Sequence, residues 1–336
     1  MNGKHDRGKI LIYETARIHQ EGGRVFEPQK FIEEKVEWLK KTVGNKKTVV
    51  ALSGGVDSSV AAILGHRAIP DNLTAVFLDD GLMRKNEPRK VVEIFEKLGV
   101  YVKLYHVKDE FFEAFKGLTD PEEKRKAFRE TFYRVFGKIS HELGAEYLLQ
   151  GTIAADVVET KAGVKTQHNV LEQIGIHPLK KYGFKILEPL KDLYKPEVRE
   201  VAKALGLPAE IHNRRPFPGP GLSIRILGEV TSDRVDLVRE ATEIVEEETK
   251  DIQCFQAFAI AMGDKATGVT VSGERNYGEV IAIRVVQSKD AVTAKSVDLQ
   301  WQVLKRIEGR IRKKIPTVTH VLYDLTDKPP ATIEYE

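Results

Sequence analysis

Residues 53–59 read Ser-Gly-Gly-Val-Asp-Ser-Ser, and their chemistry is anion binding. Gly54 and Gly55 let the backbone turn without a Cβ and approach an anion closely. Successive N–H groups in such a turn form a nest for phosphate oxygens. Ser58 and Ser59 stand where a helix begins, so free N–H groups and the helix dipole add to the attraction. Asp57 can cap that helix or hold Mg²⁺ against phosphate oxygens. Two other phosphate loops are excluded. No GxxxxGK[ST] supplies a lysine for a γ-phosphate, and no GxGxxG marks a dinucleotide site. Residue 51 is Ala, so Ser53 lacks the leading glycine of a nucleophile elbow.

The elements that must hold this loop follow from hydrophobic period and breakers. Pro28 opens a helix with Phe31, Ile32, Val36, Leu39 and Val43 on one face, ended by Gly44-Asn45. Short apolar strands are expected at 48–52, 73–78, 101–107 and 146–149. Helices are expected at 58–68, 88–98, 121–143 and 196–205. This alternation implies βαβ units and an α/β fold, a parallel sheet with helices on both faces. In such sheets ligands bind beyond the carboxyl ends of the strands, where the loops after Leu52, Leu78 and Leu149 lie. Arg214 to Leu222 reads RRPFPGPGL, a rigid loop at a domain boundary. Beyond it come helices at 231–249 and 301–314, with strand-like runs at 255–261, 269–272, 280–286 and 318–325. This half reads as an α+β domain with antiparallel strands. Thr332 to Tyr335 alternates like one more ordered strand. The resulting division is an extension over 1–26, a first domain over 27–212 and a second over 213–336.

Composition narrows the function classes. The chain has 336 residues, 53 basic and 50 acidic side chains, and a net charge of +3. That balance gives no global basic field for nucleic acid. No apolar run approaches the ~18 residues of a membrane span, and residues 1–23 lack the apolar stretch of a signal peptide. A cytosolic location is therefore expected. The single cysteine, Cys254, rules out an internal disulfide and a cysteine-based zinc finger. It sits beside Ile252, Phe255 and Phe258 and reads as a buried core residue of an apolar strand.

The loop Ser53 to Ser59 resembles the pyrophosphate-binding loop of the N-type ATP pyrophosphatases. Members of that family cleave ATP between its α and β phosphates and adenylylate a substrate oxygen. Further segments resemble the GMP synthetases among them, in their two-subunit form. These are FLDDGLMR at 77–84, DPEEKRK at 120–126, QGTI at 150–153 with Asp156 and Glu159, LYKPEVR at 193–199, PFPGPGL at 216–222 and KPPATIEYE at 328–336. Together they cover about residues 27–336 in order. NAD synthetases would not explain the last two segments, and tRNA-thiolating enzymes would usually need more cysteines and a basic face.

The resemblance implies roles. ATP would lie on Ser53, Gly54, Gly55, Val56, Asp57, Ser58 and Ser59, with Leu78, Gly151 and Thr152 beside it. Asp57 and Lys195 would be catalytic, and Asp57 the Mg²⁺ ligand. Xanthosine 5′-monophosphate (XMP) would meet Arg84, Lys165, His168, Arg275, Lys328, Ile333 and Glu334. The tail would close over that acceptor, and a lid over 161–178 would exclude water. The second domain would form a homodimer. With no second cysteine to serve as a glutaminase nucleophile, ammonia would come free or from a separate class I glutaminase subunit. Two segments depart from the family pattern. The lid reads Lys165-Thr166-Gln167-His168-Asn169-Val170-Leu171-Glu172, with Gln167 for a histidine and without the usual glycines. Ser272-Gly273-Glu274 precedes Arg275 where the family usually has Gly-Asp. Both bear on the acceptor, so a paralogue adenylylating another oxo-nucleotide stays open, as does a nucleotide-binding module without catalysis.

Overall fold

A computed structural model of the protein describes residues 26–154, 156, 183–212, 214–270, 272–289 and 291–336. Lys165, His168 and the lid at 161–178 lie outside them. Contacts divide the chain into two units. The first holds the described residues of Met1–Leu78, Lys90–Tyr105 and Tyr133–Arg214, and the second those of Asp79–Arg89, His106–Phe132 and Arg215–Glu336.

The first unit is built on a five-stranded sheet in the order β3-β2-β1-β4-β5. The strands are β1 (Thr48–Leu52), β2 (Leu73–Asp79), β3 (Val102–His106), β4 (Tyr147–Leu149) and β5 (Lys185–Leu187). β1 pairs in parallel with β2 on one side and with β4 on the other, and β4 with β5. Strand order therefore reverses at β1, which makes the end of β1 the switch point where a ligand crevice opens. Helices α1 (Pro28–Val43), α2 (Val56–Ala68) and α6 (Lys195–Ala204) pack on one another, and α2 lies on β1. α2 is buried nearly all round, as expected of VDSSVAAILG between a sheet and two helices. Val49, Val50, Val60 and Leu64 have no exposed surface, each worth roughly 1.5–3 kcal/mol of burial.

Between these elements run α3 (Glu87–Lys97), α4 (Lys108–Phe115) and α5 (Pro121–Glu142). α4 was not expected from sequence, although Phe111 and Phe115 are both buried at helical spacing. α7 (Ala209–His212) and β5 are new as well. Each is shorter than the window in which a period can be read.

In the second unit α8 (Ser232–Glu248) packs on β6 (Gln256–Ala261) and on α9 (Trp301–Lys314). The sheet runs β10-β8-β6, with β7 (Ala266–Val269) and β9 (Lys295–Ser296) also paired to β8 (Arg275–Gln287). β6 and β7 are antiparallel to β8, as expected, and so is β9, a two-residue strand that no sequence pattern marks. β10 (Val318–Tyr323) is parallel to it, against expectation. The reason is connectivity: α9 lies between β8 and β10, and a helical crossover returns the chain in the same direction. The run expected at 269–272 is displaced. β7 ends at Val269, and Ser272-Gly273-Glu274 belongs to the hairpin turn into β8, with Gly273 at φ +87°.

The tail is not a strand. Its only regular pairing among the described residues is a bridge between Ala294 and Lys328. Pro329 and Pro330 lack N–H donors, and the carbonyls of Thr332 and Ile333 are taken by the Arg284 side chain instead of a neighbouring strand. Ile333 joins a cluster with Val286 and Ala294, while Tyr335 packs against Phe258, Ile260 and Ala282. No helix among the described residues is long and apolar enough to cross a membrane.

Segments 79–89 and 106–132 precede the second unit in sequence yet group with it. Side chains explain this for 79–89. Arg239 of α8 donates to the Gly81 and Met83 carbonyls, and Lys85 pairs with Glu240 and Glu243 at 2.9 and 2.7 Å.

Candidate functional site

The loop after β1 folds as its composition requires. Gly54 has φ +73°, a left-handed conformation that a β-carbon would strain. Ser58 Oγ lies 3.0 Å from Ser53 Oγ, accepts the Ser53 N–H at 3.2 Å and donates to the Gly55 carbonyl at 3.1 Å. Ser59 Oγ donates to the same carbonyl at 2.8 Å. The two serines thus brace the turn from inside. α2 begins at Val56 with Gly55 as its N-cap and no side-chain cap. Of the two uses open to Asp57, capping is not the one seen, and the helix starts at Val56 instead of the expected Ser58. Asp57 lies within the first turn, free to use its carboxylate elsewhere.

That carboxylate meets Lys195, the first residue of α6, with Nζ 2.5 Å from Oδ2. Glu197 accepts the Tyr194 N–H at 2.7 Å and fixes the start of α6, so Lys195 is delivered from an ordered helix end. Enclosure pushes the Asp57 carboxyl above its ordinary range. Lys195 and Arg199 oppose the shift, and Asp156 adds to it. Asp57 Oδ1 is enclosed without a hydrogen-bond partner among the described residues. An orphaned carboxylate oxygen beside an anion loop fits Mg²⁺ shared with phosphates, since that ion takes one or two carboxylates and completes its shell from substrate and water. No group of three or more candidate ligands occurs among the described residues, so a cage made by protein alone does not fit.

The loop after β4 closes against this one. A Cβ on Gly151 would lie 2.5–2.6 Å from backbone atoms of Asp57 and Ser58. Gly151 therefore permits the contact, a role visible only in three dimensions. Gln150 Nε2 donates to Tyr133 at 3.0 Å, Asp156 accepts the Ile153 N–H at 3.1 Å, and Thr152 is buried. Leu78 is buried at the end of β2. Arg214 was missed as a site residue although it begins RRPFPGPGL. It donates to the Gly54 carbonyl at 2.9 Å. Arg199, one turn after Lys195, was missed too.

A second cluster lies within the second unit. Arg84 donates to Glu246 at 2.8 Å and to the carbonyls of Arg215 and Pro216 at 3.3 Å, and its guanidinium lies 4.4 Å from the Phe217 ring centre. Arg225 lies 5.1 Å from Phe217 and 4.0 Å from Phe258. It grips Glu334 with two bonds of 2.9 and 2.8 Å, and Gln256 adds a third at 3.0 Å. Arg225 Nη1 and Gln256 Oε1 are buried without partners among the described residues. A spare donor and a spare acceptor beside a fixed carboxylate suit a polar heterocycle. Ile333 is 8% exposed and turned into its apolar cluster. Lys328 Nζ donates to the Ala291 carbonyl at 2.8 Å, and Arg275 is exposed at the first position of β8.

The loop carrying Arg84 holds a buried acid. Asp80 accepts the Leu82 N–H at 2.8 Å, and Asp79 pairs with His106 at 3.0 Å. Burial, with Asp79 and Glu87 nearby, raises the Asp80 carboxyl from 3.8 to about 7, against the pull of Arg239. A raised carboxyl favours the folded state while protonated. Its contribution is complete below the ordinary value and is lost as pH rises through about 7. Asp80→Asn keeps an acceptor for Leu82 and cannot ionise. Denaturant unfolding at pH 5 and pH 8 should show the variant losing less stability between the two than the parent. Equal losses would refute the shift.

Cys254 is also corrected. It lies in the loop before β6 and is only partly buried. Burial raises its thiol pKa, which disfavours the thiolate a nucleophile needs.

A glycine turn opening a helix at the switch point of a parallel sheet, with a lysine held on its aspartate, is the arrangement of an α/β protein whose crevice suits a nucleotide. Residues 26–219 match the family described as NAD synthase, and residues 242–335 match the GMP synthase C-terminal domain. One of the subunits of the glutamine-hydrolysing GMP synthase of Methanopyrus kandleri is 51% identical over 93% of this chain and 100% of its own. The corresponding subunits from Pyrococcus furiosus (51%, covering 92% and 97%) and Methanocaldococcus jannaschii (50%, covering 93% and 100%) are similar to the same extent. The chain belongs to this family of GMP synthase subunits.

Proposed function

We propose that the protein makes GMP by ATP-dependent amination of XMP. The observation that carries this reading is the anion loop with Lys195 held on Asp57. ATP binds with its β and γ phosphates on residues 53–59, where the glycine turn and the N-terminus of α2 supply N–H donors. Asp57 would hold Mg²⁺, which offsets phosphate charge when bound. The XMP C2 oxygen forms a bond to the α-phosphorus, and the bond to the bridging oxygen of pyrophosphate breaks. Lys195 stabilises the charge that develops on the leaving pyrophosphate. Ammonia then attacks C2, loses a proton and displaces AMP, which carries away the original C2 oxygen.

The acceptor residues of this reading are Arg84, Lys165, His168, Arg275, Lys328, Ile333 and Glu334, all assigned by the resemblance. The spare polar atoms of Arg225 and Gln256 support a base-recognition role for the Glu334 cluster. Each relative named is one subunit of a glutamine-hydrolysing enzyme, and the raised Cys254 thiol is a poor nucleophile. Ammonia is therefore supplied by a separate glutaminase subunit. Exposed Val269, Tyr277, Leu322 and Leu325 support self-association through the second unit. The reaction takes place in the cytosol.

The test is an assay of the full chain with ATP, Mg²⁺, XMP and ammonium. GMP, AMP and pyrophosphate should form in equal amounts. AMP formed only with another oxo-nucleotide would reassign the acceptor. No AMP with any acceptor would leave a nucleotide-binding module.

A further inference from the structure

The DPEEKRK stretch at 120–126 has no part in the chemistry above. Asp120 accepts the N–H groups of Glu122 and Glu123, each at 2.9 Å, and so fixes the first turn of α5. Lys124 follows within that turn, and its side chain has no exposed surface. Nζ donates to the Ile226 carbonyl at 2.8 Å and lies 2.5 Å from Glu336 Oε2. The Glu336 N–H donates to the Ile224 carbonyl at 3.2 Å. Burial lowers the lysine and raises the glutamate, while each opposes the shift of the other.

A buried pair of this kind is seldom the most stable filling for its volume. Apolar side chains of the same size would commonly serve as well. The pair instead penalises arrangements that separate the charges, because each would then be buried alone. It therefore selects one position for Glu336. Two residues back stands Glu334, and two residues of chain span about 7 Å at most. Fixing Glu336 restricts where the Glu334 backbone can lie, hence where its carboxylate meets Arg225 and Gln256.

We propose that Lys124 is a positioning residue for the acceptor tail: its ion pair with Glu336 holds residues 328–336 where Lys328 and Glu334 engage the acceptor nucleotide. This rests on the acceptor assignment above. The readout is the split between acceptor and ATP. Lys124→Met and Glu336→Gln should each raise the KM for XMP about tenfold to a hundredfold, since small displacements of binding groups have effects of that size. The Kd for ATP should stay within about twofold, because the groups that bond the pair, at Ile224 and Ile226, belong to the second unit and not to the ATP loop. The double variant should be no worse than the more affected single variant, since both remove one interaction. Lys328→Ala and Glu334→Gln serve as references for the acceptor assignment, and circular dichroism checks folding. Should Lys124→Met fail to fold, Glu336→Gln and the double variant carry the test. Folded variants with unchanged KM for XMP, or with additive effects, would overturn the proposal if the reference variants raise that KM. If the reference variants leave it unchanged, the acceptor assignment is what fails, and the proposal falls with it.

Discussion

Replacing Asp57 with asparagine lowers pyrophosphate release from ATP by about 10³-fold, the scale of losing one preorganised electrostatic group in an active site. The expectation has two parts. Asparagine keeps the shape and an acceptor for Lys195, so the anion loop retains the serine bonds and the Gly55 cap that shape it. It cannot bring a negative charge to a cation shared with phosphates. The defect should therefore lie in turnover, with the thermal midpoint within a few degrees of the parent. Lys195→Met tests the other half of the pair. It leaves Asp57 enclosed and facing Asp156, which raises the carboxyl further. The charge on leaving pyrophosphate also goes unopposed, so turnover should fall by a similar factor. Release of pyrophosphate, followed by a coupled phosphate assay, reads both. An Asp57→Asn enzyme with parental release would sink the assignment of the loop.

The turn after β1 was legible in sequence because its signals are local: a short apolar strand, two glycines and two serines at a helix start. Its partners were not equally legible. Lys195 lies 138 residues from Asp57, and only resemblance placed it at the site. The resemblance places Gly151 beside ATP through the QGTI segment, yet nothing in sequence shows that its missing Cβ is what lets the two loops touch. The second unit was harder for the same physical reason. Arg284 interrupts an apolar run, IAIRVV, and nothing nearby in sequence says which groups will take its charge. Thr332 to Tyr335 alternates, and that pattern predicts a strand for the tail. Alternation reports which side chains are buried, not what the carbonyls bond, and here they bond a side chain. The parallel pairing of β10 could have been anticipated, since a helix separates it from β8.

Arg284 makes the second large prediction. Its side chain is fully buried, and four hydrogen bonds leave it. Nε donates to the Ile333 carbonyl at 3.0 Å and Nη2 to that of Thr332 at 2.7 Å. Nη1 donates to Asp324 at 2.6 Å and to the Thr326 carbonyl at 2.9 Å. One planar group thus ties both ends of the segment that carries Lys328 and the two prolines. Arg284→Met leaves Asp324 without its ion-pair partner and three carbonyls without this donor, a loss of about 3–5 kcal/mol by analogy with broken buried pairs. Tyr335 still donates to Asp324 at 2.8 Å, so the tail should loosen before it detaches. Arg284→Lys keeps the charge but not the fork, so it should fall between the two. The informative measurement is affinity for XMP beside affinity for ATP at a temperature where each variant is folded. Acceptor affinity should drop in the order arginine, lysine, methionine, while ATP affinity holds. A parallel loss of both would mean that Arg284 supports the fold as a whole. Loss of stability with neither affinity changed would mean that the tail needs no fixed position to receive its nucleotide.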